Sequence, residues 1–127
     1  MNKYAICEIF LFFPLIVTAL VSLQQTLRLY QNPAANFTFA YPETWEVAYE
    51  AVYETAAGHT AEKFSVKLKP IGNEDPNDAI RINPRQFACS DGRCEEIEGN
   101  VIGTYSRNPE IIVAYEIVVE TFSVAKN

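Results

Sequence analysis

From residue 36 to residue 70 apolar and polar positions alternate with a period of two, the pattern of half-buried strands. Phe37, Phe39 and Tyr41 alternate with Thr38 and Ala40. Pro42 cannot donate a ladder hydrogen bond, so it ends that strand. Trp45, Val47, Tyr49, Ala51 and Tyr53 then alternate with Glu46, Ala48, Glu50, Val52 and Glu54, predicting a long strand with an aromatic and an acidic face. Beyond Gly58-His59, Phe64, Val66 and Leu68 alternate with Lys63, Ser65, Lys67 and Lys69. A hairpin turning at Gly58-His59 sets Glu54 opposite Lys63 and Glu50 opposite Lys67. On its other face Tyr53 meets Phe64 and Tyr49 meets Leu68. One register satisfies both faces, and a slip of one residue spoils both.

Residues 71–79 are a polar loop, and residues 79–83 predict a short strand with Ile80 and Ile82 inward, interrupted by Pro84. Asp91-Gly92 is a two-residue hairpin signal, because both central residues of that turn need positive φ. In that hairpin Cys89 and Cys94 form a non-hydrogen-bonded pair with Cα atoms about 4.5 Å apart. A disulfide tolerates that spacing. Glu98-Gly99 interrupts, and residues 100–106 continue as a strand. Asn108 suits an N-cap, Pro109 the first helical position and Glu110 the positive end of the helix dipole. Ile111, Tyr115 and Val118, flanked by Ile112 and Val119, make the apolar stripe of a C-terminal helix. Residues 121–124 close the domain as a docked strand. The expected fold is α+β: an antiparallel sheet of about five or six strands with the C-terminal helix on one face, preceded by an N-terminal hydrophobic helix.

That first helix is the uncharged run Ile9–Leu23, with Lys3 before it and Pro14 inside it. It is long for a signal-peptide core and shorter than the roughly 20 apolar residues of a membrane span. Residues 1–23 therefore read as a signal peptide, with a small-residue site at Val17-Thr18-Ala19, or as an N-terminal membrane anchor. Either way the chain from about Gln24 onward lies outside the cytoplasm, secreted, periplasmic or anchored. Residues 24–35 read as a linker or arm without amphipathic period, and residues 36–127 as one domain. An extracytoplasmic setting favours pairing of Cys89 with Cys94.

The chain carries a net charge of −6 over its 127 residues, and setting aside Lys3 and Glu8 leaves that balance unchanged. This argues against nucleic acid as a partner, which selects a clustered basic face. Membrane contact is expected only through the N-terminal segment, if it is retained.

The candidate catalytic groups do not assemble into a reactive set. His59, the sole histidine, sits at the expected turn with no nucleophile and orienting group beside it. The two downstream cysteines lack the spacing of redox or zinc pairs. Asn73, Asp75 and Asn77 have calcium-loop spacing, but Asp78 and Pro84 stand where an EF-hand needs Gly and Glu. Glu46, Glu50 and Glu54 read as a lysine-facing outer surface, not a glycosidase pair. No catalytic residue, cofactor or metal ligand is assigned. Trp45, Tyr49 and Tyr115 could line an apolar ligand groove under the helix, and Asn36-Phe37-Thr38 is a glycosylation sequon.

The stretch FTFAYPETW, residues 37–45, followed by a lysine-rich alternating strand, resembles the opening of the PsbP-like family, as the stretch from Thr104 to Phe122 resembles its close. The resemblance spans residues 36 to 124, without the family's long middle insertions. It implies an antiparallel sheet with helices on its faces, a fold shared by an extrinsic photosystem protein and a Ran-binding nuclear transport factor. It implies docking or assembly without enzyme activity. The expected function is thus an exported, non-enzymatic binding protein with an unknown protein partner in the envelope or extracellular space. Its contact surfaces would be the arm at 24–35 and the loop at 71–79. The alternative is a small-molecule or lipid carrier with its pocket beneath the helix.

Overall fold

The computed structural model describes residues 26–54, 62–87 and 89–125. The apolar leader at 1–23, the turn at Gly58-His59 and His59 itself lie outside the described residues. The fold is α+β, with two antiparallel sheets and one C-terminal helix.

The smaller sheet pairs β1 (Leu27–Tyr30) with β2 (Phe37–Pro42), and β2 with the two-residue β8 (Ser123–Val124). Strand β1 falls within the stretch expected to be a linker. Its alternation was invisible because Tyr30 alone is buried, while Leu27 and Leu29 are exposed. The larger sheet has five strands in spatial order β3 (Trp45–Glu54), β4 (Glu62–Pro70), β5 (Ile80–Ile82), β7 (Asn100–Thr104) and β6 (Arg93–Ile97). Helix α1 (Pro109–Thr121) follows β7 and packs against β2 and β7. Its N-cap is as expected: the Asn108 side chain accepts from the Glu110 amide at 3.0 Å, with Pro109 in the first turn.

The core lies between the inner face of the large sheet and the layer made by α1 and the small sheet. Val66, Leu68, Ile80, Ile82 and Ile102 come from the large sheet, and Ile111, Ala114, Tyr115 and Val118 from the helix. The small sheet adds an aromatic stack. Tyr30 lies on Phe39 with centroids 4.8 Å apart, and Phe37 meets Phe122 at 5.0 Å. Such pairs add directional attraction to the area they bury.

The β3–β4 pairing departs from the expected register. Trp45, Glu46 and Val47 oppose Pro70, Lys69 and Leu68; a bulge at Ala48 then shifts the ladder, so that Tyr49 opposes Lys67 and Tyr53 opposes Lys63. A bulge inserts one residue on one strand, so the alternation of faces reverses beyond it. Trp45 and Val47 point to the core, whereas Tyr49, Ala51 and Tyr53 share the outer face with Lys67, Ser65 and Lys63. The expected pairs Tyr49–Leu68, Tyr53–Phe64, Glu50–Lys67 and Glu54–Lys63 are all displaced. Ala48 conceals the shift because alanine fits either face. Of the acidic-to-basic outer pairs, Glu46–Lys69 forms, at 3.1 Å.

A second correction concerns the tight turn. Asp91 closes a short 3-10 turn, Cys89–Asp91, and β6 pairs with β7 across Glu98-Gly99 instead. Both residues there have positive φ, 49° and 86°. That is the geometry of the hairpin turn expected at Asp91-Gly92, and the glycine supplies it without a Cβ clash.

Candidate functional site: a basic groove on the outer sheet face

One face of the large sheet is sealed by the core, and the other carries most of the positive charge among the described residues. Lys63, Lys67 and Lys69 alternate outward along β4, opposite the partly buried Phe64 and the buried Val66 and Leu68. Arg81 lies outward on β5 between the buried Ile80 and Ile82. Arg85 joins them from the segment after β5. Five of the eight Lys and Arg among the described residues thus gather on one side, the others being Arg28, Arg93 and Arg107.

Asn83 builds the groove's wall. It is buried, with φ at +50°, a conformation that asparagine tolerates better than most residues. Its side chain donates to Phe64 O at 3.1 Å and Asn100 Oδ1 at 2.8 Å, and accepts from the Val101 amide at 3.0 Å. These bonds tie β4, β5 and β7 together at one residue and send the chain across the outer face as Pro84-Arg85-Gln86-Phe87. The wall is pinned twice. Tyr53 donates from its hydroxyl to Asn83 O at 2.9 Å, and the Arg85 guanidinium sits 5.1 Å from the Tyr53 ring centroid. Phe87 stacks on Tyr105 at 4.2 Å and lies over Gly103, where a Cβ would come within 2.6 Å of the Phe87 ring. Partial burial raises the Tyr53 pKa, opposed by the nearby Arg85 charge.

Between this wall and the sheet runs an open groove of about 470 Å³, lined by Tyr49, Ala51, Lys67, Arg81, Pro84 and Arg85 among others. Its central feature is a cross-strand pair of like charge: Lys67 is the direct register partner of Arg81. Like charges directly opposite one another destabilise a sheet. Arg81 donates to Pro76 O at 3.2 Å. The Lys67 side chain makes no hydrogen bond or ion pair among the described residues. Tyr49, 56 % exposed, completes the row on the other side of Lys67.

No family model, curated protein or solved structure matches this chain.

The residues expected to form a ligand groove are not brought together. Trp45 and Tyr115 are core residues, 6 % and 5 % exposed, while Tyr49 stands on the opposite side of the sheet beyond the bulge. The Tyr115 hydroxyl reaches Ile102 O at 3.3 Å, and burial raises its pKa to about 12. Cys89 and Cys94 are bonded, S–S 1.99 Å, with Cα atoms 5.6 Å apart. That spacing exceeds the cross-strand expectation because the bridge joins a 3-10 turn to β6, not two paired strands. In the 71–79 loop Asn73 and Asp75 accept from the amides of Asp75 and Asn77, and Asp78 accepts from the Ser106 hydroxyl. Among the described residues no three His, Cys, Asp or Glu converge as a metal site, and no helix is long and apolar enough to cross a membrane.

The sequence signal for the groove is the alternating lysines of β4, which the pattern alone sets against glutamates; the register sets Lys67 between Tyr49 and Arg81.

Proposed function

We propose that this protein is a non-enzymatic, extracytoplasmic docking protein whose outer sheet face receives an anionic partner. The observation that carries this reading is the Lys67–Arg81 pair, set in a basic face of a chain with net charge −6. Folding gains little from two cations in register, of which Lys67 has no side-chain partner among the described residues, and local rules are broken most often where a site needs them broken. An incoming anion would relieve that repulsion. Charge complementarity of this kind sets orientation and association rate. The resemblance to PsbP-like proteins points the same way, since docking is what that family does. The Cys89–Cys94 bond suits an oxidising compartment.

A photo-crosslinking residue placed at Tyr49, and separately at the exposed Val113 on α1, tests this in the native host. The expected result is a partner captured from position 49, not from position 113, and lost on Lys67→Glu. Equal capture from both positions, or capture indifferent to that charge reversal, sinks the reading.

A further inference from the structure

Resting on that docking reading, we infer that the groove's occupant is an extended acidic peptide segment of a partner protein, carrying carboxylates beside at least one apolar side chain. Two properties of the lining select it. The first is charge: Lys67, Arg81 and Arg85 line the groove, and the acidic Glu46 at the sheet's end is already paired with Lys69. The guanidiniums offer planar, forked donors that match carboxylates. The second is the apolar share of the same surface. Tyr49 presents an exposed ring, and Ala51 and Pro84 add small apolar surfaces beside it.

These two properties discriminate among anions. Inorganic phosphate or a small dicarboxylate would answer the cations and leave Tyr49 and Pro84 in water. A sulfated glycan is hydrophilic on nearly all sides. A long polyanion such as nucleic acid would meet repulsion from a body whose overall charge is −6, since such fields act beyond pairwise contacts. A short acidic stretch with an apolar neighbour answers both surfaces and leaves the rest of its chain away from the acidic body. Pro84-Arg85-Gln86 bounds the groove on one side and the sheet forms its floor, and an extended segment laid there turns alternate side chains to one side, so that one row of carboxylates can meet the cations. Ala51 and Ser65, register partners, keep the floor low between Tyr49 and Tyr53.

The test is fluorescence anisotropy on the purified full-length chain, with a labelled peptide of alternating Glu and Leu, the same peptide with Lys for Glu, and a heparin-type oligosaccharide as rival probe. Saturable binding of the Glu peptide alone is expected, weakened about tenfold by Lys67→Glu, the scale of one lost ion pair in a partly desolvated site. Arg28→Glu, on the small sheet, is expected to leave it unchanged. Thermal melts of both variants confirm folding; should Lys67→Glu fail to fold, Lys67→Gln is read in its place. Oligosaccharide binding at the Lys67 face without peptide binding overturns the peptide assignment while leaving the docking face intact. Peptide binding indifferent to Lys67, or affected equally by Arg28→Glu, overturns it as well. Absence of binding by any anion, together with no crosslink from position 49, removes both readings.

Discussion

The phenol of Tyr30 donates its hydrogen to the carboxylate of Glu50, joining an edge strand of the small sheet to an edge strand of the large one. The Asn32 amide donates to the same carboxylate oxygen at 3.0 Å. Tyr30 is buried, and Glu50 accepts its hydroxyl proton. Only the bulge at Ala48 makes this possible, since it turns Glu50 toward the small sheet and Tyr49 away from it.

Glu50→Ala is therefore expected to destabilise the fold by about 1–2 kcal/mol, the cost of leaving a buried hydroxyl without its acceptor. Tyr30→Phe removes donor and need together and is expected to cost less. Chemical denaturation of the two single variants and the double variant measures the coupling. Negligible loss in both single variants would show that ring packing, which both retain, and not the hydrogen bond, holds the sheets together.

Gly103 is the floor beneath Phe87. Gly103→Ala places a Cβ 2.6 Å from that ring and 3.0 Å from the Arg93 carbonyl. The ring must swing away, and overpacking of this kind costs about 1–3 kcal/mol. The expected outcome is a lower melting temperature together with weaker binding in the groove, because Phe87 anchors the wall. Phe87→Ala in the same background should restore part of the stability and none of the binding.

The Cys89–Cys94 bridge closes a loop of six residues, so its removal by Cys94→Ser with Cys89→Ser is expected to cost about 2 kcal/mol. The bridge holds the segment that follows the wall onto β6. Reduction should increase amide exchange over residues 85–92 before it affects the helix, as hydrogen-exchange mass spectrometry can show.

Alkaline pH should unfold the protein through its buried phenols. Burial, chiefly, raises the Tyr115 pKa to about 12, and Tyr30 shifts upward too, by burial first and then by Glu50. Both groups hold their protons more tightly in the folded state, so between the unfolded phenol value of about 10 and the folded value stability falls as pH rises. Below pH 10 the contribution is fully present. Melting temperature is expected to be flat from pH 8 to about 10 with respect to these groups and to drop steeply above it. Tyr115→Phe should flatten part of that drop.

Much of the architecture followed from the order of residues alone. The strands at 37–42, 45–54 and 62–70, the inward Ile80 and Ile82, the Asn108-Pro109 helix start and the Cys89–Cys94 pairing rest on side-chain period, capping chemistry and spacing, all local properties. What escaped was whatever depended on a partner distant in the chain. Strand β1 shows no pattern until Phe39 covers Tyr30. The Glu98-Gly99 turn prevailed over Asp91-Gly92 because β6 pairs with the strand after it. Above all, the Ala48 bulge decided which side chains share a face. Period-two alternation survives a one-residue insertion with only its phase inverted, so the chain could specify its strands without revealing that Tyr49 would stand beside Lys67 on the outer face. Pairing energy is summed over whole strands, and only the assembled sheet reveals where a bulge resets the register that local alternation implies.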